Sequence, residues 1–131
     1  MSLVLVACGG GGGSSEAEQT NALVGIWEHV YPATQCVETN EFRMNGEFVG
    51  VSLDAIVTGF YSFEESVAQG SRHELEIEIF EDNEQADCEG RNVSTVGRFV
   101  TVYVSFLSPD SIAFYSEREG GSLLIDFVRI N

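Results

Sequence analysis

The stretch HELEIEIFE, residues 73–81, decides the fold. Leu75, Ile77 and Ile79 alternate with Glu74, Glu76 and Glu78. Successive side chains of an extended chain point to opposite faces, so this period of two puts three aliphatic groups on one side and three carboxylates on the other. A helix would scatter both sets around its axis. The stretch reads as a β-strand with one face in a core and one in water.

The same pattern recurs outward from it. FVTVYVSFL, residues 99–107, places Val100, Val102, Val104 and Phe106 on one face against Phe99, Thr101, Tyr103, Ser105 and Leu107 on the other. β-Branched and aromatic residues of this kind pack well on a pleated surface. Similar runs at 23–31, 36–44, 47–53, 55–63, 111–117 and 122–130 bring the expected strands to eight. The connections between them are short and rich in turn residues. Asn45-Gly46 is a strong hairpin dipeptide, Ser108-Pro109-Asp110 reads as a turn, and Gly120-Gly121 reaches positive φ without strain. Ser62 with Glu65 three residues on and Gly70 as a stop suggests a single helical turn between two strands. Residues 82–92 form the longest connection, which is polar and carries Cys88.

Short strands joined by hairpins predict an all-β meander, and eight of them can close into an antiparallel up-and-down barrel with no open edge. A β-sandwich is the alternative. The chain of 131 residues is 44% hydrophobic, with nine Phe, four Tyr and one Trp, enough for one packed core. Residues 22–131 are read as that single domain.

Charge restricts the partners. Twenty-one acidic residues face six basic ones, all arginine, for a net charge of -15. Such a surface repels phosphate backbones and anionic headgroups, which excludes nucleic acid as a partner by charge attraction and leaves a cationic protein as a candidate.

The N-terminal stretch LVAC, residues 5–8, resembles the lipobox of bacterial lipoproteins, in which an apolar run ends in small residues before a lipidated cysteine. The resemblance implies that residues 1–8 are a truncated signal segment and that Cys8 takes the lipid. Residues 9–21 then read as a Gly/Ser-rich tether, whose glycine and serine run has a reach of about 15 Å. Membrane attachment would be by this anchor alone, at the outer membrane and facing the periplasm. With Cys8 so assigned, Cys36 and Cys88 are an even pair in an oxidising compartment, and a disulfide between them is expected; two unpaired thiols are the alternative.

LVGIWEHV, residues 23–30, is similar to the opening Gly-x-Trp strand of the lipocalin-like calycins, and FVRI, residues 127–130, to the closing strand that carries their arginine. The resemblance implies a barrel with Trp27 at its floor, Arg129 packed over the indole and Gly25 opening the motif. His29 shares the face of Gly25 and Trp27.

No catalytic constellation stands out. A Gly-x-Ser-x-Gly elbow and a phosphate loop are both missing, and neither His29 nor His73 has an orienting partner in sequence. The acidic loop around Asp82, Glu84, Asp87 and Glu89 lacks the spacing of an EF-hand, and no metal or other cofactor is expected. The expected role is therefore not enzymatic: a lipid-anchored barrel whose interior binds a small apolar or amphipathic molecule. His29, Leu75, Ile77, Ile79 and Phe106 are the candidate ligand-binding residues. The alternatives are an acidic lipoprotein that binds or inhibits a cationic protein such as lysozyme, and a structural envelope component without a ligand.

Overall fold

Alternating side chains become a closed surface only if every strand finds two neighbours, and each does. The computed structural model describes residues 21–68 and 70–131. Its strands are β1 (Gly25–Val30), β2 (Val37–Phe42), β3 (Glu47–Ser52), β4 (Ala55–Glu64), β5 (His73–Asp82), β6 (Phe99–Ser108), β7 (Ser111–Tyr115) and β8 (Leu123–Arg129). Each pairs antiparallel with the next, and β8 returns to β1, so the sheet is a closed eight-stranded up-and-down barrel rather than a sandwich. Cys8 and residues 9–20 of the expected tether lie outside the described residues.

The inward faces match the alternation. Leu75, Ile77 and Ile79 are buried while Glu76 is exposed. On β6, Val102 and Val104 are buried. One expectation is corrected: the helical turn beginning at Ser62 does not form. Ser62 lies inside β4 opposite Glu76, and the strand continues to Glu64. The cross-strand ladder takes the backbone groups that a helix would have used, and it also places Tyr61 and Phe63 against the core.

One irregularity sets the phase of the far end. Between Thr58 and Gly59 the β4–β5 register shifts: Gly59 stands opposite Ile79, but Thr58 stands opposite Glu81, leaving Phe80 as the extra residue of a bulge. Phe80 and Glu81 both become exposed, and Asp82 returns to the inner side opposite Val57. Glycine is required at position 59, because a Cβ there would collide with the Glu78 carbonyl oxygen.

The strands close one end of the barrel densely. Leu23, Trp27, Phe42, Leu75, Val104, Ile112 and Phe127 are all less than 2% exposed. The indole Nε1 donates to the Leu23 carbonyl at 2.8 Å, which satisfies the polar atom of a buried Trp. Tyr61 meets Phe42 edge to face with ring centroids 5.1 Å apart, and its hydroxyl donates to the Arg43 carbonyl at 2.8 Å. Burial pushes the Tyr61 phenol up to about 12.

The β1–β8 seam is fastened at this same end. Trp27 pairs with Arg129 and Glu28 with Val128. The Arg129 guanidinium lies over the indole, 4.3 Å from the ring centroid, a cation–π contact worth about 0.5–2 kcal/mol depending on desolvation. Its Nη1 donates to the Val24 carbonyl at 2.8 Å and its Nη2 to that of Ala22 at 2.7 Å, while Nε lies 3.3 Å from an Asp110 carboxylate oxygen. One side chain thus ties together the segment before β1, the floor of the core and the β6–β7 turn. Gly25 sits beneath it at φ 141°, where a Cβ would meet Arg129 Nη1 and the Asn131 carbonyl.

Candidate functional site: a cavity at the open end of the barrel

Toward the other end the inward side chains shrink. Along β3 and β4 the lumen meets Gly50, Ser52, Ala55 and Val57 instead of large rings, and a cavity of about 370 Å³ remains. Its inner wall is apolar: Phe48, Ile77 and Ile79 on one side, Val100 and Val102 on β6, and Phe114, Ile125 and Phe127 on the remaining strands. This volume falls near the lower end of the range for small-molecule sites, roughly 300–1,000 Å³.

A polar ring crowns that wall. Glu38 and Asn40 project inward from β2, and Tyr31 and Ser52 stand beside them. The Tyr31 hydroxyl donates to Glu38 Oε1 at 3.0 Å and Ser52 Oγ donates to the same oxygen at 3.1 Å. Burial, followed by the charge and hydrogen bond of Glu38 and the charges of Glu89 and Asp87, raises the Tyr31 phenol well above its ordinary range. Asn40 is only 9% exposed, and its side-chain amide has no hydrogen-bonding partner among the described residues.

The mouth is shaped by residues 83–98, which are fastened on three sides. Cys36 and Cys88 form a disulfide with Cα atoms 5.8 Å apart, joining this connection to the start of β2. The Cys88 amide donates to Ser52 Oγ at 2.9 Å, so the hydroxyl that supports Glu38 is itself held by the bridged loop. Asn83 grips the β3–β4 turn, its Oδ1 accepting from the Ile56 amide at 2.9 Å and its Nδ2 donating to the Asp54 carbonyl at 3.0 Å. Near β6, Asp82 Oδ2 accepts from the amide and hydroxyl of Thr95 at 2.9 and 2.8 Å, and Oδ1 from the Glu84 amide at 2.7 Å. Burial opposes the Asp82 charge, but these bonds outweigh it and hold the carboxyl below the usual carboxylate range.

The acidic residues of this loop are therefore structural to a large degree. Asp87 accepts from the Glu89 and Arg91 amides, both at 2.9 Å, and Arg91 also pairs with Glu89. Among the described residues no group of three or more His, Cys, Asp or Glu side chains is arranged to hold a metal ion.

The cavity brings together only part of the set expected to bind ligand. Ile77 and Ile79 line it. Leu75 is fully buried one step deeper, inside the closed end. Phe106 is partly buried against the core and meets Phe63 and His73. Leu75 and Phe106 are displaced from the site because β5 enters and β6 leaves the barrel at its closed end. His29 is half-buried at the seam, with Nδ1 2.8 Å from the Asp126 carbonyl oxygen and its ring edge-to-face with Tyr31. It bridges β1 and β8 beyond the last backbone pair of their ladder.

Sequence reasoning did not find Tyr31, Glu38, Asn40, Ser52 or Phe127 as parts of a site. A signal for the β2 residues was present, since VETNEF carries polar groups on both faces of a strand whose neighbours each have an apolar one. No protein-family model matches this chain, and neither a curated protein nor a solved structure was found to be similar to it.

Proposed function

We propose that this chain is a non-catalytic, lipocalin-like carrier, anchored by lipid at Cys8 in the cell envelope and facing the periplasm, that binds one small apolar or amphipathic molecule in its barrel. The observation that carries the reading is the cavity of about 370 Å³ with an apolar inner wall and a polar mouth. An eight-stranded barrel can be filled by its own side chains or left able to hold one ligand, and here small inward residues leave space. The disulfide agrees with an oxidising compartment.

Titration with the neutral apolar fluorophore N-phenyl-1-naphthylamine tests this. One saturable site per chain is expected, lost when Val102→Phe fills the lumen, with the β-sheet circular dichroism unchanged. Absence of saturable binding by the wild-type protein, together with salt-sensitive binding of lysozyme to its outer surface, would replace the carrier reading with that of a protein-binding lipoprotein. Incorporation of a fatty-acid label that disappears in Cys8→Ser tests the anchor.

A further inference from the structure

We infer that the ligand of this cavity is an amphipathic amine, whose ammonium group sits between Glu38 and Asn40 while its apolar body lies along Ile77, Val102 and Phe127. The inference rests on the carrier reading above and adds the chemistry of the head group.

Three observations converge on it. The first is Asn40, more than nine-tenths buried, facing the cavity and without a partner among the described residues. A buried carboxamide left unpaired is destabilising, so a ligand atom that completes it is favoured. The second is Glu38. Both of its described hydrogen bonds, from Tyr31 and Ser52, reach Oε1, which orients the carboxylate and leaves Oε2 for an incoming donor. Glu38 and Asn40 are two residues apart on one strand face, about 6.6 Å along the chain. A nitrogen making hydrogen bonds of about 2.9 Å to both side chains fits that interval. An ammonium brings three donors and no acceptor, matching one carboxylate oxygen and one amide oxygen.

The third is the sign of the charge around the site. The cavity and its mouth are bordered by four carboxylates and two guanidinium groups. Burial raises the Tyr31 phenol, and the nearby charges of Glu38, Glu89 and Asp87 raise it further. Arg91 is turned toward Asp87 and Glu89. Arg98 is exposed at the rim, where water screens it, whereas Glu38 is half-buried.

Calorimetric titration of the whole chain with octylamine, octan-1-ol and octanoate at 0.15 M salt tests the inference, since the three share a tail and differ in the head. Octylamine is expected to bind one to one, at least tenfold more tightly than the other two, and to displace N-phenyl-1-naphthylamine. Glu38→Gln should erase the tenfold preference, read as the ratio of octylamine to octan-1-ol affinity within the variant. That variant removes one carboxylate from a strongly acidic chain, so its effect separates the site from general attraction of cations. Asn40→Leu should weaken octylamine severalfold.

Octanoate or octan-1-ol binding as tightly as octylamine overturns the amine assignment and leaves the carrier reading standing. So does an amine preference that survives in Glu38→Gln. If no compound binds, including the naphthylamine, both fail. The wild-type series decides the matter even if a variant does not fold.

Discussion

The two ends of the barrel are built from the same strands and differ in what those strands point inward. At the closed end the lumen receives Leu23, Trp27, Phe42 and Leu75, each less than 2% exposed. At the open end it receives Gly50, Ser52, Ala55 and Val57, with Glu38 and Asn40 opposite the apolar wall. The first end is held by packing and by one arginine that spans three segments. The second is held by a covalent bridge and by hydrogen bonds from a long connection. A barrel can thus separate a packed core from a cavity along its axis: large residues stabilise where the lumen is filled, and cross-links hold the wall where it is empty.

The largest expected effect of breaking this contrast is at the closed end. Trp27→Ala removes a fully buried ring together with its cation–π contact to Arg129, and should lower stability by about 3–5 kcal/mol. Val57→Ala, which only enlarges an existing cavity, should cost no more than about 2 kcal/mol. Urea unfolding of the two variants measures both, and equal losses would contradict the division of labour.

Opening the disulfide comes next. The bridge spans 52 positions, and closing a loop of that length stabilises a domain by about 4 kcal/mol in the chain-entropy model, less any structure kept in the unfolded state. Cys36→Ser with Cys88→Ser should show this loss in the same unfolding experiment. It should also weaken N-phenyl-1-naphthylamine binding, because Ser52 and Glu38 lose the loop that positions them. A bridge that acts on stability alone would leave binding unchanged.

The smallest effects are in pH, and they differ in sign between the ends. Tyr61 at the closed end is raised to about 12, above the ordinary phenol value of about 10. The folded state holds that proton more tightly than the unfolded chain, so the stabilisation is complete below about pH 10 and is lost as pH rises through 12. Asp82 at the mouth is lowered. Its contribution is present above the unfolded value of about 3.9 and is lost as pH falls through the lowered folded value. Amide NMR followed in acid should therefore move Thr95 and Glu84 before the signals around Trp27, while alkali should act first on the Tyr61 cluster. Simultaneous movement of both sets would show the ends to be one cooperative unit.

The strands were legible because their signal is local. A period of two over HELEIEIFE, or over the valines of residues 99–107, reports which face is buried without reference to any other segment. Hairpin residues such as Asn45-Gly46 report the turns for the same reason. The helical turn at Ser62 failed on this same locality, since its capping pattern was outweighed by a ladder to β5 that sequence neighbours do not show. Leu75 and Phe106 share the inner face with Ile77, yet their depth along the axis separates them from the cavity, and depth depends on strand tilt and register; His29 stands opposite Glu38 but is engaged at the β1–β8 seam by Asp126.

By itself, then, the sequence determined the all-β class, the eight strands and their order, and the burial of one face on each. Each follows from residue type and spacing over short range. Only the tertiary structure decided that a bulge at Phe80 turns Asp82 inward, and that small residues on β3 and β4 leave a hollow beside Glu38 and Asn40. A cavity is a relation among side chains that are far apart in the chain. Its volume and the missing partner of a buried amide come into being only when the sheet has closed around them.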